Sequence, residues 1–452
     1  MSTFENNMHW FPKISFMFAF TLSNFKARSY TFGSRSYRLR FISTSNVNSV
    51  SSISIPIRTS FSSLTNEGTA RTRNFSSTLL CQEKSQDMTS SKSKIHQNDK
   101  CSIFDYKDEL ISKALVHSSQ QFEASKIPEP LLSSCHLLSY ALNLPWSNGF
   151  YTLLEFYEQH ESKGSMNPPK SLFQRHMTAS EAKIFQSMCQ RRILNEPLQY
   201  ILGQWDFYDN IIKCRAPILC PRPETEELVD IMIHEIKQQL SNHKRIIRIL
   251  DVGCGTGAIG LTIANYFSKN YPNCPVQVVG IDLLQEAIDL SMENAQFILG
   301  SNTHSSDGQP IYQAILTSAS DFTNIHQSSD QKKSYEFYFD MIVSNPPYIP
   351  SNDMKTLSPD VIEYESIYAL CGGNDGMDII RDIVKRLPEW TQTNTNNNNQ
   401  SHEAICWMEV DTSHPKRMEA WLNDTNQTVQ FVEGRKDLSG RDRFVKLKVD
   451  AK

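Results

Sequence analysis

The chain has 452 residues, enough for about two or three domains, and no apolar run approaches the roughly 20 residues a membrane-spanning helix needs. Its net charge of −4 divides into +7 over residues 1–80, where nine Lys/Arg meet two acids, and −11 over the remainder, so the body of the chain does not attract a phosphate backbone. Ten cysteines form no C-x-x-C pair and no Cys/His cluster at zinc spacing, which argues against a disulfide framework or a metal site and fits a reducing compartment.

Residues 1–80 hold seventeen serines, spaced arginines and almost no acids. That composition suits a disordered organelle-targeting presequence, and Arg73-Asn74-Phe75-Ser76 resembles a mitochondrial processing site. The plainer reading is a Ser-rich tail. Residues 81–102 read as a polar linker. Over 103–194, apolar residues at three-to-four spacing predict helices at Asp108–Val116, Pro130–Leu142, Phe150–His160, Ser171–His176 and Ala179–Leu194. Thr178 with Glu181 three residues later is a capping box. This is a small all-α bundle, and helical spacing by itself identifies a core rather than a site.

The period then changes. Ile246–Leu250 and Val276–Asp282 read as strands, each followed by a helix, from Ala258 and Gln285. Later strands are predicted at Phe339–Val343, Ala404–Val410, Val429–Glu433 and Phe444–Val449. The alternation predicts an α/β fold, a parallel sheet with helices on both faces. Gly300–Pro310 and the Asn-rich Thr391–His402 read as surface insertions.

Asp251-Val252-Gly253-Cys254-Gly255-Thr256-Gly257 lies between the first strand and its helix. Glycines there let the backbone turn tightly beside a ligand, and the helix adds free N–H groups. Asp282 ends the next strand, where its carboxylate can accept ribose hydroxyls. The loop lacks both the dinucleotide spacing and the Lys-Ser/Thr of an NTPase loop, so a nucleoside without pyrophosphate, such as S-adenosylmethionine, fits best. The predicted strand at 339–343 runs through Ser344 into Asn345-Pro346-Pro347-Tyr348. The prolines stiffen an arm that presents Asn345 Oδ1 and the Pro346 carbonyl as two acceptors, suited to a planar NH₂ group, with Tyr348 offering a flat face.

These residues resemble the HemK/PrmC family, the protein-(glutamine-N5) methyltransferases of peptide-chain release factors. The likeness extends to Glu196–Gly203, Leu219–Val229, Ala369–Met377 and Asp437–Arg443. The resemblance implies a helical substrate-docking domain (103–194), a connecting hairpin-like segment and helix (195–230), and a seven-stranded Rossmann-like class I S-adenosylmethionine-dependent methyltransferase domain (231–452). By position, Gly253, Cys254, Gly255, Thr256 and Gly257 would hold the methionine end of the cofactor, Asp282 the ribose and Phe322 the adenine. Asn345 would lie between cofactor and substrate. Asn345, Pro346, Pro347 and Tyr348 would hold the glutamine, with Asn345, Pro346 and Tyr348 carrying catalysis.

The implied reaction methylates the glutamine of the Gly-Gly-Gln loop of a mitochondrial class I release factor, leaving S-adenosylhomocysteine. The expectation is a matrix monomer needing no metal, nucleic acid or membrane. Alternatives are a glutamine of ribosomal protein L3, an adenine-amino DNA methyltransferase, disfavoured by the acidic body, and a non-catalytic interaction protein. Glu365-Ser366 stands where the family usually has Glu-Pro, which predicts a looser turn. Arg222 is equally readable as a carboxylate clamp or a structurally paired side chain. Cys220 reads as packing, and Cys254 carries no redox role.

Overall fold

The structure, a computed structural model, describes residues 105–449 except 147–148, 162–169, 243–245, 272–273, 306, 324, 328–333, 337, 392–403 and 426–427. It also describes two short strands, β1 (Phe25–Ala27) and β2 (Phe41–Ser43), which pair antiparallel within a separate unit, residues 1–74. The disorder expected of 1–80, the motif at 73–76 and the linker at 81–102 otherwise fall outside the described residues.

Five helices form the bundle: α1 (Ile111–Ala124), α2 (Pro130–Ala141), α3 (Gly149–Glu161), α4 (Lys170–Phe173) and α5 (Ala179–Ile193). Asp108 has a φ of 58°, in the left-handed region, so α1 starts at Ile111 instead of 108; it then runs past the expected end at 116. Phe122, Phe173 and Phe185 are fully buried in a core shared with Tyr106 and Leu115. The capping box is present: Glu181 N–H donates to Thr178 Oγ1 (3.3 Å), and Thr178 N–H donates to Glu181 Oε2 (2.8 Å). Arg175 donates twice to the same carboxylate, at 2.8 and 2.7 Å, and this pairing draws the Glu181 carboxyl down to about 2.

Helix α6 (Leu198–Leu202) leads into a hairpin, β3 (Gln204–Phe207) and β4 (Asn210–Lys213), and then α7 (Pro223–Asn242). Trp205 on β3 packs against both the bundle core and the core behind the sheet. The His136 ring of α2 stacks on Phe150 at 3.9 Å and lies 4.9 Å from Trp205. Burial there pushes its pKa down to about 3.

The main sheet comprises β5 (Ile247–Val252), β6 (Val276–Asp282), β7 (Tyr312–Leu316), β10 (Met341–Ser344), β11 (Ala404–Glu409), β12 (Val429–Lys436) and β13 (Asp442–Val449). Its order is β12-β13-β11-β10-β5-β6-β7. The expected parallel pairing holds from β7 across to β11, but β13 runs antiparallel to both β11 and β12. A further hairpin, β8 (Ile325–Gln327) with β9 (Ser334–Glu336), has no counterpart among the predicted strands. Side chains alternate between two cores, as a pleated strand requires. Ile249, Val278 and Val343 face one core with α7 and α8 (Ala258–Asn270), where Met232 and Phe267 are buried. Leu250, Val279 and Ile342 face the other, with Ile380, Leu387 and Trp390 of α12 (Asp378–Trp390). Here α9 (Gln285–Leu299), α10 (Pro359–Tyr364), α11 (Ile367–Leu370) and α13 (His414–Thr425) complete the fold.

Candidate active site

The glycine loop leaves the carboxyl end of β5. Gly253 and Gly255 have φ of 73° and 53°, where an L side chain is strained, and a Cβ at Gly253 would meet nothing within 4 Å. Both therefore turn open backbone toward a cleft. Gly257 (φ 80°) serves packing instead. A Cβ there would meet Leu261 at 2.7 Å and Ser291 at 3.2 Å, so this glycine lets α8 pack close to α9. Cys254 is buried beneath the loop, its Sγ tucked against Gly280, and burial raises its thiol pKa. Asp251 is fully buried, accepts from Gly260 N–H at 2.9 Å, and is pushed up to about 7 by that burial. Asp282 holds the loop from the next strand. Its Oδ2 accepts from Gly255 N–H (2.9 Å) and its Oδ1 from Leu284 N–H (3.0 Å). The Leu283 backbone also hydrogen-bonds this carboxylate, which leaves about one of its roughly four lone-pair sites for a hydroxyl donor.

The tetrad stands beside this loop because β10 is hydrogen-bonded to β5. Val343 is in register with Asp251 and Ser344 with Val252, and Ser344 Oγ donates to the Val252 carbonyl at 2.7 Å. The next residues of the two strands, Gly253 and Asn345, therefore enter one cleft. That cleft is lined by Gly253 to Thr256, Asp282 to Leu284, Thr317 to Ser320 and Ser344 to Pro347, with Arg222, Thr225 and Tyr368 on its other walls. The segment after α11 braces the arm from behind. Gly372 N–H donates to the Ile349 carbonyl (2.9 Å), and a Cβ at Gly372 would lie 2.6 Å from the Pro347 carbonyl. Only glycine allows that approach.

Two family models match the chain: the PrmC N-terminal domain over residues 171–203 and a methyltransferase domain over 243–304. The human MTRF1L release factor glutamine methyltransferase is 30% identical over 75% of this chain and 86% of its own length. The Bacillus cereus release factor glutamine methyltransferase is 30% identical over 60% of this chain and 82% of its own. The chain belongs to the release factor glutamine methyltransferase family. A solved release factor-specific protein-(glutamine-N5) methyltransferase from Alicyclobacillus acidocaldarius is 21% identical, covers 51% of this chain and 94% of its own, and superposes with a TM-score of 0.25.

Within this family member, the structure gathers Gly253, Cys254, Gly255, Thr256, Asp282, Asn345, Pro346 and Pro347 around one cleft. Three expected site residues lie elsewhere. Gly257 is a packing glycine. Phe322 is 1% exposed and turned inward, 6.2 Å from Phe339 and 6.0 Å from Trp390, so Thr317 to Ser320 line the cleft in its stead. Tyr348 points its hydroxyl away to Glu409 Oε1 (3.3 Å), with the Arg443 guanidinium 5.7 Å from its ring. Burial beside Glu409 raises the phenol's pKa and keeps it protonated. Arg222 proves structurally paired, donating to Glu365 Oε2 at 2.7 Å, although it also borders the cleft.

The turn at Glu365-Ser366 is not loose. Ser366 N–H donates to the Pro217 carbonyl (2.8 Å), a bond proline could not make, and Glu365 accepts from Cys220 N–H (3.1 Å). Sequence reasoning misses Thr225 and Glu409. Asn345 Nδ2 donates to Thr225 Oγ1 (3.1 Å), which donates to Glu409 Oε2 (2.7 Å). Among the described residues, no group of three or more His, Cys, Asp or Glu is placed to hold a metal ion.

Proposed function

We propose that this protein transfers the methyl group of S-adenosylmethionine to the side-chain amide nitrogen of the glutamine in the Gly-Gly-Gln loop of a mitochondrial class I release factor, tuning translation termination. The observation that carries this reading is the register of β10 on β5, which sets Asn345-Pro346 next to Gly253 in one cleft. The cleft fits an adenosyl group: it has open backbone at Gly253 and a lining carboxylate, Asp282, with acceptor capacity left for a hydroxyl. Bound there, S-adenosylmethionine would supply an electrophilic sulfonium methyl.

The protein's own part is to present the nucleophile. An amide nitrogen is poor because its lone pair is delocalised, as the ~18–20 kcal/mol barrier to peptide rotation reflects. Asn345 Oδ1 and the Pro346 carbonyl accept the two N–H protons, orient the nitrogen and stabilise positive charge developing on it. Preorganised groups of this kind are worth roughly 10²–10³ in rate each. The proton can leave after transfer, so no strong base is required. The matrix location rests on the composition of residues 1–80.

The test is incubation of the purified chain with labelled S-adenosylmethionine and recombinant mitochondrial release factors, followed by peptide mapping. Label on the Gly-Gly-Gln glutamine is expected. Label on ribosomal protein L3 or on DNA adenine, with none on a release factor, would replace this reading. Import of a reporter carrying residues 1–80 into isolated mitochondria tests the location, and a reporter left outside would refute it.

A further inference from the structure

Asn345 can accept from a substrate NH₂ only if its oxygen, not its nitrogen, faces the cleft. The two ends of a carboxamide are nearly the same shape, so packing alone does not choose between them. Hydrogen bonding does. With Glu409 ionised, the Thr225 hydroxyl gives its one proton to Glu409 Oε2 at 2.7 Å. Its oxygen can then only accept, so the Asn345 end facing it, at 3.1 Å, must be the NH₂. The carboxylate at the far end fixes the direction of the whole chain of bonds. Glu409 is 2% exposed, and its other oxygen accepts from the Tyr348 hydroxyl at 3.3 Å. Arg443 donates to that hydroxyl at 3.4 Å, and its positive charge favours the ionised Glu409 against the upward pull of burial on that carboxyl. An apolar side chain at 409 would pack without the cost of burying an ion, so packing does not account for Glu409.

We propose that Thr225 and Glu409 are positioning residues that hold the Asn345 amide oxygen toward the cleft; this rests on the methyl-transfer reading above. Thr225 sits in the first turn of α7 and Glu409 at the end of β11, so the amide is set by elements outside both the glycine loop and the tetrad. Losing the relay lets the amide turn over, placing a donor where the substrate needs an acceptor. The defect belongs in kcat and not in cofactor binding.

The test uses the full chain, labelled S-adenosylmethionine and a release factor. Thr225→Val keeps shape and removes the hydroxyl; kcat should fall about 10- to 100-fold, the scale set by small misplacements of a reacting group. The calorimetric Kd for S-adenosylmethionine should be unchanged. Thr225→Ser should restore most of the loss. Glu409→Gln, which can donate as well as accept, should also lower kcat, and the double variant should be no worse than the poorer single one. Unchanged kcat in Thr225→Val, no recovery with serine, or losses that multiply would each overturn the proposal. Should Thr225→Val not fold, Glu409→Gln decides, and unaltered turnover there overturns it. Wild-type protein that labels no release factor defeats the underlying reading instead.

Discussion

Asp282 ties down the glycine loop through Gly255 and Leu284 and also lines the cleft. Asp282→Ala should weaken S-adenosylmethionine binding roughly ten- to a hundredfold, since a charge-assisted hydrogen bond contributes ~1.5–3 kcal/mol; an unchanged Kd by titration calorimetry would remove it from the site. Asn345→Ala should lower turnover by about 10²–10³-fold while leaving the thermal midpoint near that of the parent, because the acceptor is lost and no core contact is. Turnover equal to the parent's would take Asn345 out of the mechanism. Gly253 to Thr256, Asp282 and Asn345 to Pro347 are legible in the sequence as neighbours of one cleft, because each group lies at the carboxyl end of a readable strand; Gly257 and Tyr348 share those motifs but are turned aside by packing. Phe322 is not legible, because a lone aromatic beside an acid can face either side of its turn, and only packing against Phe339 and Trp390 decides it. Thr225 and Glu409 are 184 positions apart, and nothing local marks either as a partner of Asn345.

Elements are readable where a cap or an apolar run marks them. The box at Thr178 and Glu181 places the start of α5 correctly. Apolar spacing starts α1 too early because the left-handed turn at Asp108 has no signature in an aspartate. It does not reveal β7, an edge strand whose side chains are mostly half-buried, which blurs the alternation. The antiparallel turn-back of β12 and β13 is a property of connection, not of residue pattern. Glu181→Gln keeps the capping box, which glutamine also completes, and removes the charge paired with Arg175, so it should destabilise the chain by at most about 1 kcal/mol. Since the Glu181 carboxyl is depressed to about 2, its contribution is present above the ordinary carboxylate range and disappears as pH falls through about 2. Melting curves of the two proteins should therefore converge at that acid limit; a constant gap across pH would show that the ionised carboxylate is not what stabilises the helix.

At the scale of the whole molecule, the bundle and the catalytic domain meet at Trp205, and His136 lies against it. The fold admits the neutral imidazole and resists the cation, with its pKa lowered to about 3. Stability from this contact is complete above the ordinary histidine value, near 6.5, and declines as pH drops toward 3. His136→Phe should flatten that part of the stability–pH curve, as followed by denaturant unfolding, and an identical curve would refute the assignment. The relay from Asn345 to Glu409 carries a further consequence for biogenesis. The glycine loop and Asp282 are complete by residue 282, whereas the carboxylate at the end of the relay emerges from the ribosome well over a hundred residues later. A nascent polypeptide halted before β11 lacks the carboxylate to which Thr225 donates. On the proposed relay, competence for alkylation waits on near-completion of synthesis.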